Sequence, residues 1–118
     1  MQLKALIAEI RTLCKGIPLG DDQLIKWVSA LEARIYRETI SKYESAPYFS
    51  PITDEESTLM IYDEYADVYR YWLLAQIYLY IGDYDKYNTF AELYATALDS
   101  FRKDYINKHM PIGTNIKY

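Results

Sequence analysis

Leu3, Leu6, Ile7, Ile10, Leu13 and Cys14 recur at three- and four-residue spacing, the stripe of an amphipathic helix. A first helix is predicted over residues 1–15, and Gly16, Pro18 and Gly20 end it. Asp21 or Asp22 is then placed to cap a second helix, since a carboxylate accepts from the free N–H groups of a first turn. That helix is predicted over 22–43, with Leu24, Val28, Leu31 and Ile35 along one side and Trp27 beside them. At 1.5 Å per residue it would be roughly 33 Å long.

The periodicity then fails. Residues 44–61 form a long irregular loop in which Pro47 and Pro51 flank Tyr48 and Phe49, with Asp54, Glu55 and Glu56 following. A connection of this length in a helical domain is either mobile or functional, and aromatics between prolines favour a docking loop. A brief extended stretch is expected from Thr58 to Tyr62. Asp63 is the expected cap of a third helix within 62–81, whose stripe includes Tyr65, Val68, Tyr69, Trp72, Leu73, Ile77 and Tyr80. Trp72 to Ile81 is apolar nearly all round, which predicts the most buried helix of the set. Gly82 stops it as a left-handed residue and Asp83 caps the next helix at once. The fourth helix, over 84–109, carries Tyr87, Phe90, Ala91, Tyr94, Leu98, Phe101 and Tyr105. Met110 and Pro111 end it, leaving an extended tail over 111–118.

The prediction is therefore an all-α fold, a single helical domain over 1–118, with four helices, one long loop and a flexible or docking tail. A chain of 118 residues with 51% hydrophobic and 25% charged residues can bury a core unaided. No apolar run reaches the ~18 residues of a membrane span. Glu9 and Arg11 interrupt the first apolar stretch, and no small-residue cleavage site follows, so a signal peptide is not expected. One cysteine excludes an intramolecular disulfide and fits a reducing compartment.

Net charge −4 and a pI near 4.9 change the picture of partners. Gripping a nucleic-acid backbone takes clustered Lys and Arg, and here the basic residues are scattered and outnumbered. The other departure is tyrosine, with 14 copies concentrated between Tyr62 and Tyr105. Its apolar face and polar tip suit packing between helices and also half-exposed interface positions, and the sequence leaves both open.

Chemistry is absent from the pattern. A calcium loop starting at Asp83 would need an acceptor, Gly and Glu where the chain has Tyr87, Asn88 and Tyr94. His109, the one histidine, rules out histidine-rich zinc and di-iron sets. At a helix C-terminus it is expected to face water. Cys14, on the apolar stripe of the first helix, reads as a buried inert thiol. Asp63, Glu64 and Asp67 suit the dipole of a first helical turn, and there is no Gly-rich phosphate cradle. No catalytic residue, cofactor or metal is expected, and the protein is not expected to be an enzyme.

Residues 76–98, QIYLYIGDYDKYNTFAELYATAL, resemble a tetratricopeptide repeat through the Gly82-Asp83-Tyr84 turn and Tyr78. Tyr87 and Tyr94, however, stand where that repeat requires alanine, and no second unit follows at its period. This is convergence on a helical hairpin. Nearly the whole chain has a second resemblance, in IKWVSALEARIYRETISKYE, the Pro/aromatic loop, Tyr62-Asp63-Glu64-Tyr65, Gly82-Asp83-Tyr84-Asp85-Lys86-Tyr87-Asn88 and the ending Asn107 to Pro111. In composition and order it resembles the head–tail connector (adaptor, head completion) proteins of siphophages of Gram-positive hosts. That resemblance implies a virion protein, made in the host cytoplasm, that forms a homo-oligomeric ring of twelve subunits beneath the portal. It implies contacts with the portal protein and with the next connector or tail protein, and DNA that only passes through the channel. A ring interface is heterologous and closed, so each subunit needs two different adhesive faces. Interface candidates are Tyr48 and Phe49 in the loop, Tyr62, Tyr65, Tyr84 and Tyr87 on the hairpin, and Ile112, Ile116 and Tyr118 in the tail. The alternative is a helical, tetratricopeptide-like binding adaptor outside any virion.

Overall fold

The computed structural model describes residues 1–43, 49, 51–52 and 54–109. It is all-α, with α1 over Leu3–Leu13, α2 over Asp21–Glu38, α3 over Asp67–Ile81 and α4 over Tyr84–Lys108. Single 3-10 turns at Ile40–Lys42 and Asp63–Tyr65 flank the central loop. The predicted stripes form the core: Leu3, Leu6, Ile7 and Ile10 meet Leu24, Val28, Leu31 and Ile35, and both rows close on Val68, Tyr69, Leu73 and Ile77. Residues three and four apart share one helix face, so each helix adds one continuous apolar row.

Three predicted boundaries are corrected. Helix α2 ends at Glu38, giving about 27 Å, because the 3-10 turn tightens the chain beyond Thr39. Its N-cap is Gly20, with no side-chain cap. Asp21 is drawn off by Arg11, whose guanidinium donates to it at 2.6 Å and to the Leu19 carbonyl at 2.7 Å, clamping the α1–α2 turn. Asp63 does not cap α3 either. It opens the 3-10 turn and its carboxylate accepts from the Met1 amine at 2.6 Å.

The return limb of the long loop is more ordered than its composition suggests. Thr58 bridges Gln2 in antiparallel fashion, Leu3 N–H donates to the Ser57 carbonyl and Leu59 N–H to the Met1 carbonyl, both at 2.9 Å. Behind it lies Glu32, 3% exposed on the apolar side of α2. Glu32 Oε2 accepts from Met60 N–H at 3.0 Å, and Tyr69 Oη donates to Glu32 Oε1 while accepting from Ile61 N–H at 2.9 Å. A buried carboxylate is tolerable only when hydrogen-bonded, and these bonds fasten the loop to two helices at once.

The α3–α4 turn matches its prediction. Gly82 sits at φ 83° and Asp83 accepts from Lys86 N–H at 3.3 Å. The resulting hairpin is the most extensive helix pairing in the fold. Helix α4 buries Leu98, Phe101 and Tyr105 in its second half and nothing fully in its first. One end of the hairpin thus extends beyond the core.

Candidate interaction surface

The central aromatic residues divide into those that pack and those left uncovered. Tyr62 and Tyr65 pack: their rings lie 5.8 Å from Phe101, and Tyr62 is also 6.4 Å from Tyr105, with Lys108 Nζ 5.2 Å from its centroid. Both are half-buried, and they fix the 3-10 turn onto α4. Phe49 is half-buried too, with its ring 5.2 Å from Tyr36. Tyr87 is half-buried on α4. Among the described residues of the predicted interface, Tyr84 alone is exposed, at 63%. Tyr48, Ile112, Ile116 and Tyr118 lie outside the described residues.

Other large apolar side chains are exposed as well, and two of them, Leu13 and Tyr80, are positions that periodicity places on the core-facing stripes of the first and third helices. Tyr80 is 60% and Ile81 49% exposed on the last turn of α3, and Leu13, at the end of α1, is 62% exposed. Leu79 joins them. The prediction that the third helix is the most buried of the set agrees with the six buried residues of α3, Val68, Tyr69, Leu73, Leu74, Ala75 and Ile77, while its last turn, Leu79 to Ile81, is exposed. A signal was present: a helix apolar on every side must leave some of it uncovered where a two-residue turn is all that follows. Large apolar side chains left exposed at one end of the hairpin make that end the candidate interaction site.

Beneath this end, half-buried rings stiffen the hairpin. Tyr78 stacks on Phe90 at 5.6 Å and 9°, Lys86 Nζ lies 5.1 Å from the Tyr78 centroid, and Trp72 meets Tyr94 at 5.2 Å. Trp72 Nε1–H donates to the Trp27 carbonyl at 3.1 Å, joining α3 to α2. Burial pushes the Tyr94 phenol above its ordinary range, against the nearby Arg34 and Arg102 charges. Its hydroxyl is buried with no hydrogen-bond partner among the described residues.

Cys14 ends α1 half-buried, with Sγ 3.7 Å from Tyr78 Oη. His109 is not turned to water as expected. It stacks on Tyr105 at 3.9 Å and 13°, with Nδ1 3.0 Å from the Tyr105 carbonyl. Cys14 and His109 lie at opposite ends of the hairpin and form no dyad. Burial pushes Glu32 above the usual carboxylate range, and Tyr69 well above the usual phenol range, the latter helped by Glu32 itself. Both are enclosed and hydrogen-bonded, so the pair is structural. Among the described residues, no group of three or more His, Cys, Asp or Glu is placed to hold a metal ion, and no helix is long and apolar enough to cross a membrane. No protein-family model, curated protein or solved structure matches the chain.

Proposed function

We propose that this protein is a structural subunit without enzymatic activity that acts by assembling, as a head–tail connector in the neck of a tailed phage. In that role copies form a ring beneath the portal and bridge it to the next connector or tail protein in the virion. The observation that carries the assembly part is the uncovered hairpin end, where Tyr80, Ile81 and Tyr84 are exposed at the turn between α3 and α4 and Leu13 of α1 lines the same cleft as Ile81. The placement in a phage neck rests on the sequence resemblance. A net charge of −4 suits a channel wall that DNA passes without being held, because few cations are offered to its phosphates.

Sedimentation velocity tests this reading, with the protein alone and mixed with a portal protein from the same genome. Co-sedimentation at a fixed ring stoichiometry is the expected result. A protein that stays small beside an intact portal ends the connector reading. The second reading, a helical adaptor that holds a peptide, draws on the shallow groove along α1 bounded by Ala8, Glu9, Thr12 and Leu13. Peptide affinity in a permanent monomer would favour it.

A further inference from the structure

Between the α1–α2 turn and the last turn of α3 lies a cleft of about 260 Å³, walled by Leu13, Cys14, Ile17, Ile77, Tyr78 and Ile81. Leu13 is also the shared wall with the groove along α1, of about 400 Å³. Lys15, Gly16 and Pro18 of the turn complete a wall that is more polar than apolar, and within it Leu13, Ile17, Ile77 and Ile81 give aliphatic positions for one or two branched side chains of an extended segment.

Residues 110–118, MPIGTNIKY, have the matching pattern. Pro111 and Gly113 disfavour a helix. In an extended chain Ile112 and Ile116 fall on one face, roughly 13 Å apart. The chain cannot serve its own cleft. Helix α4 starts beside the cleft at Tyr84 and runs 25 residues to Lys108, roughly 37 Å. Ile116 is seven residues past His109, and seven residues reach at most about 25 Å.

We propose that residues 110–118 of a second copy occupy this cleft, with Ile116 inserted beside Ile81 and Ile112 against Leu13. Tail and cleft sit at opposite ends of α4, so each bound tail leaves one free tail and one free cleft. The contact is heterologous and propagates until it closes. This deepens the assembly reading above and rests on it for its biological setting, though the contact itself does not require a portal.

The test is a fluorescein-labelled peptide of residues 108–118 titrated into the full-length protein and followed by anisotropy. Saturable binding with Kd of about 1 mM or tighter, weakened at least about tenfold by Leu13→Asp and by Ile81→Asp, is expected. Both residues are largely exposed, so unchanged thermal melts should accompany the loss. Absence of saturable binding, or binding indifferent to both substitutions, overturns the proposal. A complementation experiment adds direction. The double variant Leu13→Asp/Ile81→Asp keeps its tail and Ile112→Asp/Ile116→Asp keeps its cleft, so each alone stays monomeric and the mixture forms a one-to-one dimer above the peptide Kd. Self-association of the tail variant, or a mixture that stays monomeric, overturns it. Peptide binding without portal assembly would retain this contact and end the connector reading. Portal assembly unaffected by all four substitutions would do the reverse.

Discussion

Glu32 and Tyr69 hold the central loop to the helices through bonds that neither can replace. Tyr69→Phe strips Ile61 N–H of its acceptor and Glu32 Oε1 of its donor in a buried site. Unsatisfied buried groups cost about 1–3 kcal/mol each, so urea denaturation should show a loss of about 2–6 kcal/mol for the two. The pH dependence has a definite sign. The folded carboxyl of Glu32 titrates above its ordinary value of 4.5, chiefly through desolvation. The folded state therefore binds the proton more tightly than the unfolded chain, and stability falls as pH rises through a window that opens near 4.5 and extends upward. Glu32→Gln should be less stable overall yet lack this slope. The melting temperature of the original protein minus that of the variant should then grow as pH is lowered through the window. A constant difference would show that Glu32 does not titrate there. None of this pair was legible locally. Glu32 follows Val28 by four on an apolar stripe, and its partners Met60 and Tyr69 lie 28 and 37 residues away. Local periodicity carries no information at that range.

Helices were readable wherever their punctuation was local. Gly82 and Asp83 act within one turn, and the structure places both as the sequence implied. Gly82→Ala meets no neighbouring atom within 4 Å of the new Cβ, so its whole cost is the left-handed backbone at φ 83°. That cost is about 1 kcal/mol. Asp83→Ala removes the cap for about another 1 kcal/mol, and chemical denaturation should show the two losses separately. Punctuation failed where a distant charge competed. Asp21 and Asp63 have the composition of caps, but Arg11 and the Met1 amine hold their carboxylates. Tyr62 and Tyr65, named as interface candidates, are half-buried, both against Phe101 and Tyr62 also beside Tyr105.

At the scale of the whole molecule, the first half of α4 contributes no buried residue, so the turn end of the hairpin stands beyond the core. Tyr80→Ala and Tyr84→Ala remove rings that are mostly in water already. They should leave the melting temperature nearly unchanged while weakening assembly in sedimentation velocity, and the effect should vary little with salt because the surface is apolar. A large fall in melting temperature would mean that these rings belong to the core. Exposure at this end was only partly legible, because the sequence shows which residues are apolar and not how much neighbouring surface exists to cover them.

The Gly82 turn also bears on the order in which the chain acquires its shape. It joins the most extensive helix pairing through a two-residue closure, whereas the N-terminal helices meet the return limb only after loops of many tens of residues have closed. Loop-closure entropy favours the near partner, so α3 and α4 should associate first and the pairing of residues 1–4 with 55–59 last. Pulsed hydrogen exchange during refolding should protect the amides of Leu73 to Ile77 before that of Leu59. Simultaneous protection would mean that the two halves fold as one cooperative unit.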